Sequence, residues 1–496
     1  MALVMLPMSI ILLFLAYKLY NKLRFKLPPG PYPLPVIGNL FAMDAVKFRC
    51  FSEWSQVYGP IMSVWFGSHL HVVVSNPELA KQVLKDNDEQ LANRHRNWTY
   101  SRLSRNGEGL IWADYSPHYT KLRNVCVLEL FSTKSLETYR HIREDEVRVM
   151  VKSLFKDCTS ACDSGRGLVI RRYVGAVAFN NITRLLFGKR FENEEGVLNQ
   201  QGKEFVGNLT KKSEGGTFLA VFQEIWWLTW VLWPQRIALT KMRAEEDDLK
   251  RAIIEDHIGK GEEKHFLGAL LSIQEKYDLT QDDIGGLLWG QVSAGLDTVA
   301  ISAEWAMAEL IKNPRVLRKA QEELDRVIGL ERPMMEADIS NLPYLKCVAK
   351  EALRLHPPTP LMLPHRASAH VKIGGYDIPK GTAVHVNVWA IGRDSNVWED
   401  PHSFRPERFI ETKEHGFGYL PFGAGKRMCP AAQVGTNLVI LMLGNLLHGF
   451  AWSLPEGIPA KEIDMSESPG LVCYMKTPLI AVPQRRLPEH SYKHML

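Results

Sequence analysis

Cys429 lies in the stretch Pro421-Phe422-Gly423-Ala424-Gly425-Lys426-Arg427-Met428-Cys429-Pro430-Ala431, where a single thiol follows a glycine-rich loop and precedes an apolar helical run. Glycines let a backbone approach a flat group closely. Lys426 and Arg427 are expected to favour the thiolate over the thiol. The combination suits one thiolate held against a metal at the centre of a buried, flat cofactor. A structural cysteine after a loop is the plainer alternative, so the case depends on the other chemistry-bearing residues.

Ala294-Gly295-Leu296-Asp297-Thr298 sits inside the run Ile284 to Ile311, which reads as one long helix. That run is apolar almost all round, which predicts burial through the middle of the protein. A buried acid beside a hydroxyl is costly unless something uses it. Gly295 is expected to make room for a ligand against the helix, or else to serve helix packing. Glu351-Ala352-Leu353-Arg354 places a carboxylate and a guanidinium at i and i+3 on one face, and the helix ends at Leu355-His356-Pro357-Pro358 because proline disfavours helical geometry in the residue before it. Exposed pairs at this spacing contribute little. A buried arginine from Phe404-Arg405-Pro406-Glu407-Arg408-Phe409, however, would close a network with Glu351 and Arg354 and tie the loop before Cys429 to a distant helix.

The elements that position these groups are mostly helical. Val169–Leu186 and Leu310–Val327 read as amphipathic helices, and Ile61–Phe66, Leu70–Val74 and Val384–Val388 as strands of a minor sheet. The chain has 496 residues, 46% of them hydrophobic, with no Ser/Gly linker, repeat or low-complexity tract, which favours one large unit. Its net charge of +5 is small and scattered, against a nucleic-acid partner. Seven cysteines without a C-x-x-C pair point to a reducing compartment and away from a zinc site. The sequons at Asn97, Asn181 and Asn208 are then chance matches.

Ala2 to Tyr17 is an apolar run followed by Lys18, Lys22, Arg24 and Lys26. No positive stretch or A-x-A-like site marks it as a cleaved signal, so residues 1–26 read as a membrane anchor with a basic flank. Charges after the run leave the rest of the chain on the cytosolic side. Residues 27–36 read as a stiff proline-rich hinge, and residues 37–496 as the catalytic body. Trp226, Trp227, Trp230 and Trp233 suit either core or a loop touching the membrane interface.

An acid-alcohol helix, then Glu-x-x-Arg, then Pro-Glu-Arg-Phe, then Phe-x-x-Gly-x-Arg-x-Cys is the running order of the cytochrome P450 haem-thiolate monooxygenases, which the chain resembles over essentially its whole length. The resemblance implies their mainly α fold with a minor β domain, preceded by one N-terminal membrane-anchor helix. It makes Cys429 the axial thiolate of haem b iron, with Phe422 in the haem loop. Asp297 and Thr298 become the pair that delivers protons to dioxygen, and Glu351, Arg354 and Arg408 the structural triad. Arg427, His365 and Arg123 match propionate contacts, as does Tyr119, which stands where the family usually has Trp. Ala431 replaces a glycine, and Val299 replaces the more frequent Thr or Ser. The implied partners are a small phenolic substrate, the membrane and an NADPH–cytochrome reductase, whose acidic face Lys426 helps dock. The implied location is the endoplasmic reticulum membrane.

A narrower resemblance, carried by Ile111–Tyr115, Ala178–Arg184, Leu355–Arg366 and Met465–Met475, is to the plant hydroxycinnamoyl ester 3-hydroxylases. These place a hydroxyl at the 3-position of p-coumaroyl esters or amides. The implied pocket walls are Trp98 to Leu103, Trp289 to Ala294, Pro358 to Leu363 and Leu471 to Tyr474. Lys203 to Arg251, the family's lid, matches least well. Oxidation of a flavonoid or a free phenolic acid, an oxygen-independent haem-thiolate reaction and a non-catalytic haem protein are the competing readings; the Asp297–Thr298 pair argues against the oxygen-independent one.

Overall fold

The computed structural model describes residues 24–164, 167–193, 198, 202–203, 233–257, 265–412 and 415–493. The expected anchor run, residues 204–232 of the lid segment and Trp226, Trp227 and Trp230 lie outside the described residues. Among the described residues, no helix is long and apolar enough to cross a membrane.

The helices that position the site are α1 (Lys47–Tyr58), α2 (Trp98–Leu103), α3 (Pro117–Glu129), α4 (Arg140–Ser164), α5 (Ile170–Phe187), α6 (Trp233–His257), α7 (Gln281–Lys312), α8 (Pro314–Ile328), α9 (Pro343–Leu355) and α10 (Ala432–Gly449). The strands are β1 (Ile61–Phe66), β2 (His69–Val74), β3 (Asn93–Arg94), β4 (Leu168–Val169), β5 (His365–Arg366), β6 (Val371–Ile373), β7 (Tyr376–Ile378), β8 (Ala383–Val386), β9 (Phe450–Ser453) and β10 (Ile480–Arg485). Five of them form a sheet in the order β1-β2-β8-β5-β3. In it β1 and β2 make an antiparallel hairpin, and β2 runs parallel to β8 with His71 opposite Ala383. Helix therefore dominates, with the sheet to one side, as the sequence pattern predicts.

At the centre is α7, 32 residues long. Its start is set by a reciprocal cap in which Thr280 accepts from the Asp283 amide and Asp283 accepts from the Thr280 amide. Its C-terminal half, with Trp305 and Met307 fully buried, joins residues of α4, α5, α9 and α10 in the main core. The expectation of burial along the whole run is corrected at Ser293–Val299. Ser293 and Ala294 are exposed and the next five residues only partly covered; of these, Ser293, Leu296 and Asp297 line a cavity.

Two element boundaries also differ from the sequence pattern. Leu310–Val327 is not one helix: α7 stops at Lys312, Asn313 adopts φ −120° and ψ 74°, and Pro314 begins α8. Proline excludes helical geometry at the residue before it, and at N1 it loses no hydrogen bond. The late strand ends at Val386, because the Asn387 side chain accepts from the Ala390 amide at 3.1 Å and caps a short helix.

The proline-rich segment packs on the body. Ser63 of β1 donates its amide to the Pro29 carbonyl at 2.8 Å and its hydroxyl to Pro28 at 2.9 Å. A side chain at Gly30 would collide with the Ser63 carbonyl. Trp233, the one described tryptophan of its cluster, is 57% exposed. Of the sequon residues, Asn181 and Thr183 are buried inside α5 and Asn97 caps α2, while Asn208 lies outside the described residues.

Candidate functional site

The loop before α10 is held by its own backbone. Gly423 and Gly425 take φ of +69° and +67°, a region that only glycine enters freely. The Cys429 amide donates to the Phe422 carbonyl at 2.9 Å, and the Phe422 ring lies over Gly435 in the first turn of α10. Cys50, Cys126, Cys158, Cys347 and Cys473 are buried; among the described cysteines, Cys429 alone is partly open. Burial pushes its thiol pKa up, opposed by the Ala431 amide and the Arg123 guanidinium.

The expectation that Lys426 and Arg427 favour the thiolate is therefore corrected, and Arg123 is the cation that acts on it. The Lys426 ammonium sits 4.6 Å from the centre of the Tyr115 ring. Arg427 donates to the carbonyls of Ala92, at 2.6 Å, and Ala113.

Around Arg427 the structure gathers positive charge. Its guanidinium lies 3.9 Å over the Tyr119 ring. Tyr119 donates its hydroxyl to the Lys426 carbonyl at 3.0 Å, and Arg123 reaches that hydroxyl at 3.5 Å. Arg94 is 7% exposed and donates to the carbonyls of Leu363, at 2.8 Å, and Ile111, at 3.3 Å. Burial, then repulsion from Arg427, lowers its pKa to about 9. Burial beside Arg94 and Arg427 holds His365 down at about 3, with its Nδ1 on the Leu91 carbonyl at 2.8 Å. Asp114 partly offsets the charge, but its carboxylate is engaged by Arg96, Arg366 and the Arg94 amide.

Like charges crowd into a buried space only if an anion belongs there. Arg427 Nη1 is buried without a hydrogen-bond partner. The cationic nest and the partly open Cys429 thus fit a flat cofactor that carries carboxylates and a metal. Arg94 escaped the sequence reading, because its role depends on a neighbour more than three hundred residues away. Arg94→Ala should weaken haem retention by about one to two orders of magnitude, the size of one charge-assisted hydrogen bond; haem transfer to apomyoglobin reads this directly.

Glu351, Arg354 and Arg408 come together as one buried network. Glu351 and Arg354 are 0% and 2% exposed, so this is no surface pair. Arg354 Nε and Nη2 donate to the two carboxylate oxygens at 2.7 and 2.8 Å. Arg408 Nε and the Arg405 amide add bonds at 3.0 and 2.9 Å. The same guanidiniums donate to the carbonyls of Pro401, Ser403 and Glu399. This clamps the segment whose Phe409 packs edge-on against Tyr419, just before the cysteine loop.

A cavity of about 1770 Å³ opens along α7, lined by Ser293, Leu296 and Asp297. Cys429, Thr298 and Phe422 are not among its lining residues. Burial pushes the Asp297 carboxyl pKa up, opposed by a hydrogen bond from Tyr474. Thr298 donates its hydroxyl to the Ala294 carbonyl at 2.8 Å. Gly295 faces away: a Cβ there would lie 3.1 Å from Ile182 of α5, so this glycine serves helix packing and not ligand space.

The cavity wall uses part of every stretch expected from the sequence, namely Tyr100, Trp289, Gly290, Ser293, Pro360 to Met362, and Leu471, Val472 and Tyr474. Tyr100 stacks on Trp112 at 4.5 Å and 18°. The rim is charged: Arg105, between α2 and α3, pairs with Asp247 of α6 at 2.9 Å and with Asp282 of α7.

Comparison with known proteins adds to this geometry. A family model described as Cytochrome P450 matches residues 28–481. Cytochrome P450 98A2 of Glycine max is 59% identical over 99% of this chain and 99% of its own length. Cytochrome P450 98A1 of Sorghum bicolor is 54% identical over 97% of this chain and 96% of its own. A flavonoid 3'-monooxygenase of Petunia hybrida is 35% identical over 98% and 97%. A zebra fish cytochrome P450 solved with abiraterone superposes with a TM-score of 0.72 at 26% identity, covering 88% of this chain and 99% of that one.

Proposed function

Because the chain belongs to the cytochrome P450 family, and so is a monooxygenase with thiolate-ligated haem, we propose that it hydroxylates the 3-position of the aromatic ring of p-coumaroyl esters or amides. Haem supplies dioxygen activation, with a thiolate that favours O–O cleavage. One oxygen atom enters the ring; the other leaves as water, formed with two protons and with two electrons that NADPH provides through a flavoprotein reductase. Cys429 is the thiolate. Arg94, Arg123 and Arg427 hold the propionates, and Glu351, Arg354 and Arg408 keep the cysteine loop in place.

The observation that carries the substrate reading is the mixed character of the cavity wall. It combines apolar and aromatic residues, among them Trp289, Leu296, Leu361 and the Tyr100–Trp112 stack, with charged ones, among them Arg105, Asp247 and Asp282. Such a space suits a flat phenol joined to a polar acyl acceptor. Thr298 turns its proton toward Ala294 and leaves lone pairs free to accept. Asp297, whose pKa burial raises, keeps a proton to higher pH than an ordinary carboxyl. These two features support the reading of the pair as the proton path. Thr298→Ala should lower product per NADPH and raise hydrogen peroxide; unchanged coupling would move the proton path elsewhere.

The apolar run Ala2–Tyr17 and its basic flank support an N-terminal anchor in the endoplasmic reticulum membrane, with the body facing the cytosol. The test of the substrate is product mass after incubation with p-coumaroyl shikimate, quinate, phenyl-lactate and spermidine conjugates, beside a flavonoid and free p-coumaric acid. Gain of one oxygen on a conjugate supports the reading. Gain only on the flavonoid or free acid would replace it.

A further inference from the structure

Arg105 stands in the turn that ends α2, and its backbone is unusual for its residue type. Arg105 and Asn106 take φ of +48° and +58°, and Gly107 takes +98°. A residue with a Cβ enters this left-handed region at a cost that glycine avoids. The turn is held by other groups. The Asn106 amide donates to the Ser101 carbonyl at 2.7 Å, the Gly107 amide to the Ser104 carbonyl at 2.9 Å, and the Ser101 hydroxyl to Asn106 at 2.8 Å. A Cβ on Gly109 would lie 3.0 Å from the Gly286 carbonyl, so the loop rests directly on α7. Strain of this kind collects at ligand-contacting loops, and here the turn gains nothing from the arginine side chain.

That side chain lines the cavity, 30% exposed, between carboxylates from two helices. Asp247 of α6 lies 2.9 Å away, and Arg243 at 3.4 Å and Lys250 at 3.6 Å share it. Asp282, in the first turn of α7, is 65% exposed. Glu108, in the same loop, adds a carboxylate at 3.6 Å. The two helix partners are therefore unequal. Asp247 is fixed among three cations, whereas an ion pair as exposed as that of Asp282 is weak.

We propose that Arg105 is a specificity-determining residue that exchanges partners: it stays on Asp247, releases Asp282 and takes the carboxylate of the acyl acceptor in its place. The inference rests on the conjugate reading of the substrate and narrows the acceptor to one that carries a carboxylate. A guanidinium binds a carboxylate through two parallel N–H donors. The exchange puts one carboxylate where another was, and Asp282 turns to water, so no buried charge is left unpaired. A cationic acceptor would instead meet carboxylates that Arg105, Arg243 and Lys250 already hold. Helix α6 does not depend on the released pair, because Arg243 donates to the Arg102 carbonyl and the Arg236 guanidinium lies 4.2 Å over the Trp98 ring of α2.

The experiment measures dissociation constants by calorimetry on the full-length holoenzyme. The ligands are p-coumaroyl shikimate, the same compound methylated at the shikimate carboxyl, and p-coumaroyl spermidine. Arg105→Gln should raise the constant for the free acid about tenfold, the size of a charge-assisted hydrogen bond, and leave the methyl ester unchanged. Asp282→Asn should act in the opposite direction, tightening the free acid about threefold, the size of an exposed ion pair. In the double variant the Asp282 substitution should have no further effect. Equal weakening of acid and ester in Arg105→Gln would overturn the inference and make Arg105 a structural residue of the loop. Tightening by Asp282→Asn that persists without Arg105 would also overturn it, as a general effect of charge. A spermidine conjugate that binds more tightly than the shikimate one, and loses affinity in Asp282→Asn, would assign this wall to a cationic acceptor instead. If no conjugate binds the unaltered protein, the conjugate reading falls and this inference with it.

Discussion

Cys429→Ala should give a folded chain with product formation at background. Removal of this thiol leaves no substitute, because the other described cysteines are buried structural residues. Burial raises the pKa of Cys50, Cys126, Cys347 and Cys473 as it does that of Cys429, so what sets Cys429 apart from them is access: it is partly open and they are buried. The loop itself does not depend on the sulfur. Its shape comes from the Cys429 amide on Phe422 and the left-handed glycines, all of which an alanine retains. Circular dichroism close to that of the parent, with product below detection, is the expected result. A variant that still turned over substrate would mean that the metal ligand is another residue.

Glu351→Gln should cost about 3–5 kcal/mol of stability, the range for breaking a buried ion pair by removing one partner. The amide keeps the shape but loses the charge, and two buried guanidiniums, Arg354 and Arg408, are left without their counter-ion. The segment they clamp leads through Phe409 and Tyr419 to the cysteine loop. Loss of stability should therefore appear as loss of bound haem during purification. A thermal unfolding midpoint with and without haem measures this, and an unchanged midpoint in both forms would show that the network is dispensable.

The four motifs were readable because their residues are close in the chain, and spacing on one helix or loop is set by covalent geometry. Glu351 and Arg354 needed only a helical repeat to be paired. The mainly helical class followed from the periodicity of α5 and α7, and the early strands from their branched and aromatic runs. What the sequence hid is made by distance. Arg94 meets Arg427 only because β3 and the cysteine loop converge, and Tyr474 joins Asp297 in one cavity wall only after the C-terminal segment folds back on α7. Gly295 looked like ligand space because sequence shows a missing side chain, not the direction in which it is missing. Periodicity alone did not show the opening of α7 at Ser293–Val299, because an apolar residue beside a cavity has the same pattern as one in a packed core; the wall from Trp289 to Ala294 was implied by the family resemblance.

The most direct test of the central claim is the carbon monoxide difference spectrum of the reduced full-length protein. A haem iron held by the Cys429 thiolate predicts a strongly red-shifted Soret band, which gives way to the unshifted band of imidazole ligation in Cys429→His. A red-shifted band that survived in the variant, or its absence from the unaltered protein reconstituted with haem, would contradict the account.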